Sequence, residues 1–227
     1  MVEKQWVIPP QADAEFVCAM EDVLEVYQRD FDPARPVLCL DEASKQLVAQ
    51  TRVPLPAAPG QPARQDYEYE RCGTANLFLV TEPLVGQRRI KVTQRRTAVD
   101  FAEFVRDIVD RWYPDAHKIV LVMDNLNTHK LASLYEAFAP EEARRLVEKL
   151  EIHYTPKHGS WLNIAEIEFS LLSRQCLDRR LGSQEELRRE IEAWQRQRNR
   201  RHGTVDWQFT TQDARIKLRR LYPSTQD

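Results

Sequence analysis

Ile119-Val120-Leu121-Val122-Met123 is an unbroken apolar run that stops on Asp124-Asn125. Such a run reads as a strand buried on both faces and central in a sheet. A second run, Val37-Leu38-Cys39-Leu40, stops in the same way on Asp41-Glu42. Between them, Tyr67, Tyr69 and Arg71 alternate with Glu68 and Glu70, and Leu77–Val80 and Arg89–Val92 follow, which predicts an antiparallel meander. Its tip and second arm carry Arg88, Arg89, Lys91, Arg95 and Arg96, and the Pro- and Ala-rich stretch from Val53 to Gln65 reads as a loop. Ile152-His153-Tyr154 is a further short strand, followed by a loop over 156–160.

Helical spacing predicts the other elements. Phe16, Met20, Val23, Leu24 and Tyr27 form one stripe on a helix over 13–27, which must dock on the main domain or on a second copy. Thr97 and Asp100 make a capping box for a helix with Phe101, Phe104, Val105, Ile108, Val109 and Trp112 on its apolar face, and Pro114 stops it. Helices are also expected from about Thr128 to Phe138, from Pro140 to Leu150 and from Asn163 to about Leu177. One capped by Ser183 with Glu186 and a last one capped by Thr211 complete the set. A meander followed by strand–helix units gives a mixed α/β sheet with helices on both faces, the order of a ribonuclease H-like fold. The expected division is a linker and docking helix over 1–35, the sheet domain over 36–205 and a tail helix over 206–227.

Composition sharpens this only in places. The 227 residues carry a net charge of −2, but Met1–Glu70 holds 6 Lys/Arg against 13 Asp/Glu, and Ser170–Leu221 holds 13 against 7. The split suggests a basic face for a polyanion, although a solvated helix surface gives the same count. Four dispersed cysteines without a CxxC pair exclude a zinc cage or disulfide scaffold and fit a cytoplasmic setting. No apolar run approaches the ~20 residues of a membrane span, and no signal peptide is visible.

Three carboxylates stand at element ends: Asp41, Asp124 and Glu166, the last in the first turn after the cap Asn163. If the two apolar strands are parallel neighbours, Asp41 and Asp124 lie side by side, where like charges repel unless a cation sits between them. Hard oxygen donors and few histidines point to Mg²⁺ or Mn²⁺. Two such ions about 3.5–4 Å apart clamp the attacking and leaving oxygens of a phosphodiester displacement. Each acid also has a bland reading. Asp124 and Asp41 can be turn residues, Glu166 can be only the second half of a capping box, Glu42 can replace Asp41, Glu168 can replace Glu166, and His129 can be a core or capping histidine.

Asp41-Glu42, Met123-Asp124-Asn125 with His129, and Ser160-Trp161-Leu162-Asn163-Ile164-Ala165-Glu166 resemble the three catalytic blocks of DDE transposases. The match is to bacterial insertion-sequence enzymes of the mariner-like superfamily, and it extends over nearly the whole chain. The resemblance implies catalytic and metal-binding roles for Asp41, Asp124 and Glu166. It implies supporting roles for Glu42, Asn125, His129 and Asn163, and DNA as partner with a TA-type target. Lys157, His158, Arg88, Arg89, Arg196, Arg198, Arg200 and Arg201 are the candidate DNA-backbone contacts. Trp161 or Trp207 offers a stacking face for an unpaired base, or a core ring. Ile164-Ala165 stands where the family usually has Pro-Ile, and the 42 residues from Asp124 to Glu166 exceed its usual spacing, which the helix after Pro140 absorbs. Such enzymes normally carry helix-turn-helix modules before the catalytic domain, and Met1–Arg35 is expected to be too short for one such module plus the helix already assigned, so the resemblance is to a catalytic domain alone. A homodimer is plausible. The other expectations are a remnant that binds DNA without cutting it and a host ribonuclease H-like nuclease.

Overall fold

The computed structural model describes residues 11–64, 66–126 and 129–223. Five strands form one mixed sheet in the order β3-β2-β1-β4-β5. They are β1 (Val37–Gln50), β2 (Tyr69–Glu82), β3 (Gln87–Thr93), β4 (Ile119–Met123) and β5 (Leu150–Tyr154). The first three pair antiparallel, and β4 is parallel to both β1 and β5. This is the expected ribonuclease H-like sheet.

β4 is buried along its whole length because both faces are covered. Ile119, Leu121 and Met123 meet Leu38, Leu40, Phe78 and Phe104 on one side. Val120 and Val122 meet Cys39, Leu77, Leu79 and Ile164 on the other. Helices α2 (Ala98–Asp107), α3 (Ala132–Ala137) and α4 (Pro140–Glu148) cover the first side. Helices α1 (Ala14–Tyr27), α5 (Ile164–Leu172), α6 (Gln184–Arg200) and α7 (Thr211–Lys217) cover the second.

The meander differs from expectation in one respect that matters later. β1 does not end at Leu40 but runs on to Gln50, paired with β2 from Cys39↔Thr81 to Gln50↔Tyr69. Asp41 and Glu42 therefore lie within a strand, at the point where β1 loses its parallel neighbour β4 and keeps its antiparallel one. The polar run after Leu40 is compatible with a strand because β2 supplies the backbone partners and the apolar residues are no longer needed on both faces. Other boundaries shift for local reasons. The Thr97–Asp100 capping box is present, but α2 widens into a π turn over Ile108–Trp112. Thr210, not Thr211, caps α7, in a full capping box with Asp213. Ser183 caps α6, while Glu186 accepts from Gly182 N rather than from the cap residue. α3 begins at Ala132, and Thr128, where that helix was expected to start, lies outside the described residues.

The terminal helices join the same core. Asp13 caps α1 by accepting from Phe16 N at 3.0 Å, and Asp13 N donates to Leu221 O. Phe16, Met20, Val23 and Leu24 are buried with Ala214 and Leu221. The stripe on α1 thus docks on the sheet domain rather than on a second copy.

α6 closes the exposed edge of the sheet. Asn199 accepts from Arg88 N and donates to Arg88 O, both at 3.0 Å, and Gln195 accepts from Ile90 N at 2.8 Å. Four residues of helix rise about 6.0 Å and two residues of strand about 6.6 Å. The two amides therefore match successive outward-facing backbone groups of β3 as a sixth strand would. Beneath them Arg88 is 1% exposed, with Nε 3.3 Å from Glu168 Oε2. Arg198 closes on the same carboxylate through two bonds of 2.9 and 3.2 Å. Arg88 is a structural residue, and the expectation that it contacts DNA is corrected. Burial removes its guanidinium from any surface a backbone can reach. Arg198, half-buried, is likewise held by Glu168.

At the opposite edge, Glu151 on β5 takes Arg29 at 2.7 Å and Arg35 at 2.5 Å. Partial burial alone would raise its pKa, but Arg29, His153 and Arg35 outweigh that and hold it at about 2.

Two predictions follow from these ties. Glu168→Gln leaves two guanidinium groups around a neutral amide in the interior, at a cost of about 3–5 kcal/mol. In a chain of this size that lowers Tm by roughly 6–20 °C, whereas Glu192→Gln, at an exposed pair with Arg196, changes it by little. For Glu151, the folded pKa lies below the ordinary 4.5. Its contribution to stability is therefore complete above pH 4.5 and lost as pH falls towards 2. Thermal melts of wild type and Glu151→Gln should differ at pH 7 and converge near pH 2.

Candidate active site at the end of the parallel strands

The parallel register Val37↔Val120, Leu38↔Leu121, Cys39↔Val122 decides where the first two acids meet. Continued by two residues, it sets Asp41 beside Asp124 at the ends of the paired segments of two strands about 4.8 Å apart. Alternation gives Asp41 the parity of Cys39, so it faces the α5 side of the sheet, and Asp124 follows directly on the last residue of β4.

The third acid is brought there by Asn163. Its side-chain oxygen caps α5 by accepting from Ala165 N at 3.1 Å, and its amide donates to Leu40 O at 2.9 Å. That carbonyl belongs to the residue before Asp41. The cap is thus bolted to β1 beside the carboxylate, and Glu166 follows in the first turn of the helix. Glu168 is two residues on, about 200° further round, and faces Arg88 and Arg198 instead.

The electrostatics register this convergence. The pKa of Asp41 is raised to about 7, first by burial, then by the negative charges of Asp124 and Glu166. The Glu42 N–H, 2.8 Å from Asp41 Oδ1, and the nearby His129 oppose the rise without cancelling it.

Glu42 has the opposite parity and faces the α2 side. There it takes Arg96 at 3.1 Å, and its second oxygen lies 3.4 Å from His129 Nε2. His129 is fully buried against the Phe101 ring, and its Nδ1 hydrogen-bonds Asp124 Oδ1. Burial by itself would lower the His129 pKa, but Asp124 and Glu42 raise it to about 9. An imidazolium between two carboxylates holds Asp124 through Oδ1. Sequence reasoning named Glu42 and His129 separately. Their pairing was hidden because it needs β1, the turn after β4 and α2 to meet.

The donors suit a hard divalent cation in type, three carboxylates with a shortage of positive charge around Asp41. Among the described residues, no three His, Cys, Asp or Glu side chains are already grouped as a ready-made ion site. Asp124 has one oxygen engaged by His129, and carboxylates drawn to a common point repel until a cation lies between them.

The remaining candidates are placed as follows. Asn125 is exposed just after Asp124. Lys157 and His158 are exposed on the loop before α5, with His158 at φ 64°. Arg89, Arg196, Arg200 and Arg201 are exposed. Trp161 and Trp207 stack on each other with centroids 6.5 Å apart and pack against the core. No helix among the described residues is long and apolar enough to cross a membrane.

Comparison with known proteins adds to this geometry. The family described as DDE superfamily endonuclease matches residues 36–188. No curated protein matches the chain by sequence. Among solved structures, the Mos1 transposase paired-end complex with left transposon end is similar at 15% identity and a TM-score of 0.59, over 89% of this chain and 62% of that one. The mariner Mos1 paired end complex with Mg gives 15% and 0.60, over 99% and 68%. The Mos1 strand transfer complex gives 14% and 0.58, over 86% and 57%. The chain thus spans about 62% of the length of the first of these. At such identities the likeness is one of fold.

The Asn163 bolt is directly testable. Asn163→Ala loses a helix cap, about 1 kcal/mol, and leaves the buried Leu40 carbonyl unpaired, about 1–3 kcal/mol more. Asn163→Asp keeps the cap acceptor but sets a carboxylate against that carbonyl. Both should lower Tm, and both should weaken Mn²⁺ binding by roughly 10–100-fold, as loss of a group that orients a ligand does. Titration calorimetry reads this separately from the melt.

Proposed function

This chain belongs to the DDE superfamily endonucleases, and we propose that it is a transposase catalytic domain that cuts DNA at element ends and joins the freed end to target DNA. The observation that supports the reading is the parallel register of β1 and β4, which sets Asp41 beside Asp124, together with the Asn163 bond to Leu40 O that ties the first turn of α5, and Glu166 with it, to the same strand.

Asp41, Asp124 and Glu166 would hold two divalent ions, Mg²⁺ or Mn²⁺. Such a pair supplies Lewis-acid activation of the attacking oxygen and charge neutralisation at the leaving oxygen. The chain's own groups set up that chemistry. His129, held by Glu42, orients Asp124. Asn163 fixes the first turn of α5, and Glu166 with it, relative to β1. Lys157, His158, Arg89, Arg196, Arg200 and Arg201 hold the DNA backbone through salt-dependent contacts. Asn125, exposed beside Asp124, is placed to contact a phosphate. In the joining step a 3′-OH takes the position of the water used in cleavage. A TA-type target, action as a homodimer and a cytoplasmic, nucleoid-associated location belong to the same reading. So does a catalytic unit over 36–205 flanked by an N-terminal docking segment and a C-terminal tail helix.

The test compares wild type with Asp124→Asn. Wild type should nick duplex DNA with Mg²⁺ or Mn²⁺, and the variant should lose at least 10³-fold of that rate, the scale lost with an essential electrostatic group. Both should bind DNA alike in EDTA. Equal nicking by the two proteins removes the catalytic reading. A preference for RNA–DNA hybrid over duplex DNA points instead to a ribonuclease.

A further inference from the structure

β1 continues past Asp41, and α5 continues past Glu166, so the face bearing the carboxylates extends in one direction. Asp41, Ala43 and Lys45 share one side of the strand by alternation. Glu166, Phe169 and Ser173 share one side of the helix at spacings of three and four. Between these two rows lies an open groove of about 420 Å³, lined by Ala43, Lys45, Phe169, Ser173, Arg174 and Asp178 among others. Its far wall is the π turn Ser173–Leu177. Widened turns of this kind recur at functional sites.

The groove has an apolar floor and a cationic rim. Phe169 and Ala43 supply the floor. Lys45 Nζ donates to Leu177 O at 2.6 Å and to Arg179 O at 3.4 Å, which fixes an ammonium at the rim with a further proton to donate. Arg174 is exposed on the opposite wall. Asp178 is the one acid on the rim, so the cations outnumber it two to one. The Ser173 hydroxyl, two cations and an apolar floor suit a sugar–base unit and its phosphate.

We propose that this groove is a subsite for an unpaired nucleotide of the DNA strand next to the scissile phosphodiester. Arg174 and Lys45 would bind its phosphates and Phe169 would underlie its base or sugar. The inference rests on the reading of the three carboxylates as the cleavage site, and it identifies which stretch of substrate that site holds beyond the reacting bond.

The test measures binding in EDTA, where no cutting occurs, with fluorescent duplexes that are blunt or carry four unpaired nucleotides on the 3′ or the 5′ side. Wild type should bind one flanked duplex more tightly than the blunt one. Arg174→Ala should lose most of that gain and reduce the salt slope for the flanked duplex by about 0.7, the value of one phosphate contact on a single strand. Ser173→Trp, which fills the groove from an exposed position, should abolish the gain. Both variants should bind the blunt duplex as wild type does. A flank that adds no affinity to wild type, or adds equally to all three proteins, overturns the proposal. Failure of the cleavage reading would appear elsewhere, as nicking retained by Asp124→Asn, so the two outcomes are distinct.

Discussion

Three backbone pairings, Val37 with Val120, Leu38 with Leu121 and Cys39 with Val122, hold the site together. They are buried on both faces, so a slip of one residue would turn every side chain of β4 to the wrong side of the sheet. The register is therefore set by the whole apolar content of two strands, and Asp41 and Asp124 inherit it. The acids are neighbours because the residues before them pack, and not through any attraction of their own. Their mutual repulsion is tolerated only because that packing outweighs it.

The carboxylates of the interior fall into two groups with opposite solutions. Glu168 lies between Arg88 and Arg198, and Glu42 between Arg96 and His129. These acids are matched by cations of the chain and serve the structure. Among the described residues, Asp41 and Glu166 have no such cation, and Asp124 has His129. The contrast within one helix is instructive. Glu166 and Glu168 are two residues apart, yet the turn of α5 leaves Glu166 half-buried in its first turn and sends Glu168 into the contact with Arg88 and Arg198. A shortage of positive charge, rather than the presence of acids, separates the site from its surroundings.

Much of the rest of the fold serves to keep α5 where it is. Asn163 ties its first turn to Leu40, Glu168 ties its middle to β3 and α6, and Tyr27 of α1 donates to Leu162 O at 2.6 Å just before it. The same helix then widens at Ser173 and opens the groove beyond the carboxylates. Edge protection by Asn199 and Gln195 fits this plan, since α6 must lie flat on β3 for Arg198 to reach Glu168.

Several features were legible from the chain alone. The doubly buried strand at 119–123, the helix capped by Thr97 and Asp100, the order of elements, and Asp41, Asp124 and Glu166 as candidates all follow from periodicity and local chemistry. These are short-range signals, carried by residues within one turn or one strand of each other. Others required the tertiary structure. β1 runs through Asp41-Glu42 because β2 pairs with a polar stretch that has no strand signature of its own. Arg88, read as a surface cation on an exposed arm, is buried because α6, more than a hundred residues later, covers that edge. The engagement of Glu168 by Arg88 and Arg198, the bond from Asn163 to Leu40, and the link from Glu42 through His129 to Asp124 each join segments remote in sequence. Periodicity assigns a side chain to a face, but only the packing of one element on another decides what that face meets.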